Sequence, residues 1–285
     1  GRAVVARLRA RGETVRVLSG QEEVTYSAYG VLSGIPDACG VMGDLGGGSL
    51  ELVALDGHKL GDSVTLPLGP LRIANLDSYP VVKAYIDEKL AGVPWLKKWK
   101  GKSLYAVGGS WRALSRLDLE LTKDPLAVLD QHTLPRAALR RLIRATRRLS
   151  FEELKAIPGM ASNRAAALPD AAALLAALVN IIDAPDMTVS SSGLREGLLY
   201  QSLDPATRAQ DPLIVAAEFE GRRLARFAPH GPALAEWIAP LFASENAADS
   251  RIRRAVSLRI DVVGSANTDF RADRGTEIGL HGNWR

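Results

Sequence analysis

The chain has 285 residues, enough for one large or two ordinary domains, and its 47% hydrophobic and 24% charged residues are those of a soluble globular protein. A net charge of +4, with a pI of about 9.3, allows a polyanionic partner without demanding one. Cys39 is the only cysteine, which excludes an intrachain disulfide and favours a reducing, cytoplasmic compartment, and the longest apolar run, Ala171 to Ile182, is too short to span a bilayer.

Gly1 to Arg11 reads as the middle of a helix, with Val4, Val5 and Leu8 on one side and Arg2, Arg7 and Arg9 elsewhere. With no initial methionine and no signal-peptide h-region, the chain is expected to be a fragment missing an upstream part. Thr14 to Leu18 predicts a short β-branched strand. Ser19-Gly20-Gln21-Glu22 is a capping box that starts a helix running to about Leu32. With Glu22 turned back onto the cap, Glu23 is free to face a cleft, because adjacent helical residues diverge by about 100°. Taken locally, Glu23 reads first as a first-turn acid that complements the helix dipole.

Val41 to Val53 predicts a strand, a three-glycine turn and a second strand. Asp44 ends the first strand, and Ser49 and Glu51 share one face of the second because they alternate with Leu50 and Leu52. Gly46, Gly47 and Gly48 let backbone N–H groups converge on an anion, and a plain hairpin turn needs fewer glycines. An acid beside such a nest repels bare phosphate but suits a hydrated Mg²⁺ held between carboxylate and phosphate. No Lys-Ser/Thr pair follows the glycines, which excludes a P-loop. The chain continues as a strand, which excludes a dinucleotide fingerprint.

His58 to Leu68 predicts a third antiparallel strand, and two helices follow between Leu71 and Ala91. Trp95 to Lys100 reads as a solvated loop with half-buried tryptophans, or as a base-stacking patch. Ser103 to Val107 predicts a buried strand that runs into Gly108-Gly109-Ser110 and a helix from Trp111 to about Leu119, a second set of amides at a helix N-terminus. Two such loops suggest an extended phosphate-bearing ligand. Pro135 to Leu149 predicts an amphipathic helix with Arg136, Arg140, Arg144 and Arg147 in one stripe, either a solvated basic face or a hold for a polyphosphate chain. Phe151 to Ile157 and Ala161 to Ile182 read as structural helices. Met187 to Ser190 predicts the last strand, which turns through Ser191-Ser192-Gly193 into a helix from Leu194 to Leu203, with Arg195 reading as a partner for a carboxylate. Leu213 to Val263 is helical in pattern, and Ser265 to Arg285 is polar with little periodicity. His58, His132, His230 and His281 lack metal-ligand spacing, and no Ser-His-Asp set stands out.

Four segments, taken together, resemble the exopolyphosphatase/guanosine pentaphosphate phosphohydrolase (Ppx/GppA) family. They are Ser19 to Glu23, Asp44 to Leu52, Ala106 to Ser110, and Ser192-Gly193-Leu194-Arg195-Glu196-Gly197-Leu198-Leu199-Tyr200, in the family's order and spacing. The resemblance implies an α/β fold, with a ribonuclease H-like domain of the actin-like ATPase superfamily over residues 1–203. A helical, HD-like region without a metal centre is expected over 204–285, incomplete at its end. Carried over, Glu23 matches the catalytic glutamate that orients or deprotonates the attacking water, which reverses the local reading. Asp44 matches the acid at the Mg²⁺ site, Gly46, Gly47, Gly48 and Ser49 match the second phosphate loop, and Glu51 matches an acid close to it. Gly108 and Gly109 match the loop that lies by the nucleotide in actin-like proteins, and Arg195 is a supporting residue. Val24-Thr25-Tyr26 departs from the usual Ala-Arg-Leu, and the family's first phosphate loop is not in this sequence. The implied activity is Mg²⁺-dependent release of orthophosphate from inorganic polyphosphate, with guanosine pentaphosphate as the other substrate and non-catalytic binding of either as the remaining alternative. A homodimer is expected, with no DNA and no membrane partner, and the chain alone is expected to turn over little substrate.

Overall fold

In the computed structural model the chain is described except at Gly1, His58, Asp77, Ala127, Arg226, Ala228, Asp261 and residues 264–267 and 282–285. Its elements in chain order begin with α1 (Arg2–Arg9), α2 (Gly20–Gly34), β1 (Cys39–Leu45), β2 (Leu50–Asp56), β3 (Lys59–Leu66), α3 (Pro70–Ile73), α4 (Tyr79–Ala91), β4 (Ser103–Val107) and α5 (Gly109–Thr122). After these come β5 (Thr133–Pro135), α6 (Arg136–Arg148), α7 (Phe151–Lys155), α8 (Ser162–Ile182), β6 (Asp186–Ser190) and α9 (Leu194–Ser202). They form one sheet in the order β3-β2-β1-β4-β6-β5. The strands β3, β2 and β1 run antiparallel, β1, β4 and β6 parallel, and β5 antiparallel to β6. Apart from the short β5, this is the ribonuclease H-like arrangement that the resemblance implies.

Period-2 alternation sends each strand's side chains to two separate cores. Val41, Leu45, Leu50, Leu52, Leu104 and Ala106 face one layer of helices with Trp111 and Leu114 of α5, Leu139 and Leu142 of α6, and Leu174 and Leu178 of α8. Met42, Val53, Leu55, Tyr105 and Val107 face Val24, Ala28, Val31 and Leu32 of α2. Burial on both faces explains why the central strands read as nearly continuous apolar runs. The long helix α8, 21 residues, extends the apolar run in both length and composition far enough to cross a membrane, the one such helix among the described residues. Its Leu168, Leu174, Leu175, Leu178 and Ile182 are instead buried in the first core, as expected of a structural helix.

Two expectations are corrected. Thr14 to Leu18 is not a strand: Val17 is 66% exposed and the segment pairs with no strand, so β-branched propensity finds no sheet edge to satisfy. The C-terminal tail is more regular than its polarity suggests, with a helix from Arg271 to His281.

By its internal contacts the chain divides into Gly1–Asp118 with Gln131–Gln201, and Leu119–Asp130 with Ser202–Arg285. The second unit is helical: α10 (Pro205–Arg208), α11 (Pro212–Leu224), α12 (His230–Ile238), α13 (Ala247–Leu258) and α14 (Arg271–His281). Its small core joins Ala217 to Ala255 and Leu258, with Leu213 and Ile214 packed against them.

Helices α2 and α9 approach backbone to backbone. A Cβ placed on Gly197 would lie 1.7 Å from the Tyr26 carbonyl oxygen and 2.8 Å from the Gly30 amide nitrogen. Replacement Gly197→Ala is therefore expected to destabilise the first unit toward the upper end of the ~1–3 kcal/mol typical of overpacking. Urea unfolding followed by circular dichroism would measure the loss.

Candidate active site at the carboxyl edge of the sheet

Asp44 of β1 stands in register with Val107 of β4, and Val107 with Ser190 of β6. The loops Gly108–Gly109 and Ser191–Gly193 therefore emerge at the same edge as Asp44, where ligands of open α/β sheets bind. Because β2 is antiparallel, Ser49 and Glu51 begin there too, and Glu51 is the direct cross-strand partner of Asp44. The N-terminus of α2 lies over this edge. A Cβ on Gly20 would be 3.9 Å from Thr65 Oγ1, and Thr65 pairs with Glu51 on the other side of β2.

Three carboxylates gather at this edge, with the charges of Asp44 and Glu23 both acting on Glu51. Ser27, fully buried on α2, donates its hydroxyl to Asp44 Oδ2 at 2.8 Å. Burial pushes the Asp44 carboxyl above its ordinary range, against the hydrogen bond from Ser27 and the positive charge of Arg112. Glu51 is only 5% exposed. Burial raises its carboxyl as well, the Ser49 hydroxyl opposes the shift, and the negative charges of Asp44 and Glu23 add to it. Glu23 is exposed to solvent and near enough to act on Glu51. The reason is the cap: Glu22 accepts the Ser19 amide at 2.8 Å and the Ser19 hydroxyl at 2.9 Å, so the next side chain turns to the edge.

The three-glycine loop has its carbonyls tied back. Gly47 O accepts from the Leu71 amide at 2.9 Å, Gly48 O from Arg72 Nε at 2.9 Å, and Ser49 O from the Gly46 amide at 3.0 Å. The amides of Gly47, Gly48 and Ser49 have no acceptor among the described residues, which leaves a nest of donors for an anion. The second loop turns at Gly108, whose φ of +109° and closeness to Leu45 O (2.5 Å from an added Cβ) require glycine. At Gly109 the first turn of α5 meets a side chain that sequence reasoning missed. The Arg164 guanidinium covers Gly109, with its Cζ 2.5 Å from an added Cβ, and Nη1 donates to Ser110 Oγ at 3.3 Å. A helix N-terminus and a guanidinium thus share one place, which favours an anion.

Arg195 is exposed in the first turn of α9 and has no hydrogen-bond or ion-pair partner among the described residues. Its neighbour Glu196 caps the turn instead, accepting the Gly193 amide at 2.9 Å. Of the residues missed, Ser27 carried a signal: it lies four positions after Glu23 and so on the same face of α2. Arg112 and Arg164 carried none, since helix docking brings them to the edge. No group of three or more His, Cys, Asp or Glu among the described residues forms a metal cage. Asp44 with Glu51 suits a hard cation that keeps most of its waters, as Mg²⁺ does.

The model of the Ppx/GppA phosphatase family matches residues 4–206. The chain belongs to this family. A guanosine-5'-triphosphate,3'-diphosphate pyrophosphatase of Aliivibrio fischeri (strain MJ11) is 25% identical over 210 residues, which cover 68% of this chain and 40% of that protein. The homologue of a second strain gives the same figures, so the chain spans about 40% of the length of these relatives. An exopolyphosphatase from Cytophaga hutchinsonii superimposes with a TM-score of 0.64 at 23% identity, over 70% of this chain and 69% of its own. The Aquifex aeolicus member of the Ppx/GppA family gives 0.56 at 24% identity, over 68% and 66%. These likenesses show the fold, the actin-like and ribonuclease H-like architecture expected from the sequence.

The raised carboxyls have a stability consequence. The folded Ppx/GppA unit holds these protons more tightly than the unfolded chain does. Their contribution to stability is full below about pH 4 and is lost as pH rises through the raised folded values. The variant Asp44→Asn, which keeps an acceptor for Ser27, should melt above wild type at pH 8 and level with it near pH 4. Calorimetry at the two pH values checks this.

Proposed function

We propose that this Ppx/GppA phosphatase hydrolyses the terminal phosphoanhydride of inorganic polyphosphate and releases orthophosphate, with Mg²⁺ held by Asp44 and Glu51. The observation that carries the reading is the closeness of solvent-exposed Glu23 to the buried Glu51 and its half-buried partner Asp44, beside a loop of unpartnered amides. A site that only bound phosphate would gain nothing from three acids.

The amides of Gly47, Gly48 and Ser49 hold the oxygens of the terminal phosphoryl group. The N-terminus of α5, with Gly108, Gly109 and Arg164, holds phosphates further along the chain. Glu23 orients a water in line and accepts its proton as the water oxygen bonds to phosphorus and the anhydride P–O bond breaks. The shortened chain leaves as an anion. Mg²⁺, when bound, neutralises charge on the phosphoryl oxygens. Ser27 keeps Asp44 directed to this point, and Arg112 favours its charged form.

Guanosine pentaphosphate is the second substrate reading, favoured by the names of the Aliivibrio relatives. The test is Mg²⁺-dependent phosphate release by the full gene product, offered long-chain polyphosphate and guanosine pentaphosphate side by side. Glu23→Gln should lower release about 10²–10⁴-fold while substrate binding is retained. Equal release by wild type and Glu23→Gln would sink the catalytic assignment, and release from the nucleotide alone would move the substrate. Mg²⁺ should also raise the melting temperature of the wild-type chain at pH 8, and should raise that of Asp44→Asn much less.

A further inference from the structure

The arginine stripe of α6 is not part of the carboxyl-edge site, and the fold gives it a surface of its own. Helices α4 and α6 both pack on α8 and leave a groove of about 350 Å³ between them. Its floor is apolar, with Ala173, Ala176 and Ala177 beside Ile86 and Ile143, and its rim carries Arg136, Arg140, Arg144, Arg147 and Lys83. The one acid on the rim among the described residues, Asp87, is already paired with Lys83. Arg136 is engaged by Asp183, and Arg147 lies over the Tyr79 ring, 4.4 Å from its centroid. Arg140 and Arg144 have no acidic partner among the described residues and face solvent midway along the groove.

The direction of the stripe matters. Pro135 pairs with Asp186, the first residue of β6, so α6 starts at the amino edge of the sheet. Helix α8 runs the other way, from Arg164 beside Gly109 down to Ile182. From Arg136 to Arg147 the stripe therefore climbs about 16 Å toward the carboxyl edge. It ends on Tyr79, which opens α4 shortly after α3, the helix that clamps the three-glycine loop.

We infer that this groove is a second, non-catalytic anion site that takes a run of phosphate groups, as the trailing part of a long polyphosphate chain. The inference rests on the polyphosphate reading above. Guanidinium groups one helical turn apart, unmatched by carboxylates, suit an extended polyanion. The alanines leave room for the chain between the basic rims.

The test is equilibrium binding of long-chain polyphosphate to the intact chain. It compares wild type, the double variant Arg140→Glu with Arg144→Glu, and a control, Lys97→Glu with Lys98→Glu, on another exposed basic patch. The groove variant should lose about tenfold or more in affinity, a difference of about 1.4 kcal/mol or greater. The control should stay close to wild type. Equal loss in both variants, or polyglutamate of matched charge binding as tightly and with the same sensitivity, would mark a bare basic surface and overturn the site. Unchanged affinity in the groove variant would overturn it as well, and would leave the hydrolysis reading to stand or fall on Glu23→Gln. Absence of any binding by wild type would also overturn it.

Discussion

Two carboxylates on neighbouring strands, one buried and one half-buried, set the terms for this domain. Asp44 and Glu51 face each other across the β1–β2 ladder, and burial alone would drive both toward the neutral acid. The surroundings oppose that with single, well-aimed contributions: the Ser27 hydroxyl and Arg112 for Asp44, and the Ser49 hydroxyl for Glu51. A hydrogen-bond donor or a distant cation moderates the cost of a buried like-charged pair without cancelling it. Such an arrangement is costly to keep in a fold, and the cation proposed above between carboxylate and phosphate would relieve that cost.

The rest of the edge supplies the complementary sign. Carbonyls of the glycine loop are drawn back by α3, and its amides face forward. At α5, a guanidinium is laid over the first helical turn. Acids on one side and hydrogen-bond donors on the other divide the edge by charge. The division follows from strand direction: β1 and β4 end where β2 begins, so one edge gathers the β1–β2 loop and the loop after β4, about 60 residues further along the chain.

Much of this was legible in the sequence because it is written in local patterns. The Ser19–Glu22 cap, the alternation of Ser49 and Glu51 with Leu50 and Leu52, and the glycine-to-helix turn at Gly108 each need only a few neighbouring residues to be recognised. What stayed hidden is what docking decides. Arg164 lies 55 residues beyond Gly109 in the chain and reaches it only because α8 packs along α5's side of the sheet. The three-residue β5 has no periodicity of its own and exists through its pairing with β6. Thr14 to Leu18 shows the converse, a strand-like composition with no edge to join. Family resemblance supplied the role proposed for Glu23, which its position in a first helical turn would have assigned to the dipole.

The contact between Gly197 and the Tyr26–Gly30 turn ties α9 to the middle of α2 with no side chain between them. A joint of two backbones has no rotamers to yield, so the two helices form a stiff lever. Its one arm ends at Glu23, over the carboxyl edge, and its other arm is the helix in which Arg195 stands. The place of Glu23 over the edge is thereby set by the packing of α9 as well as by the helix's own cap.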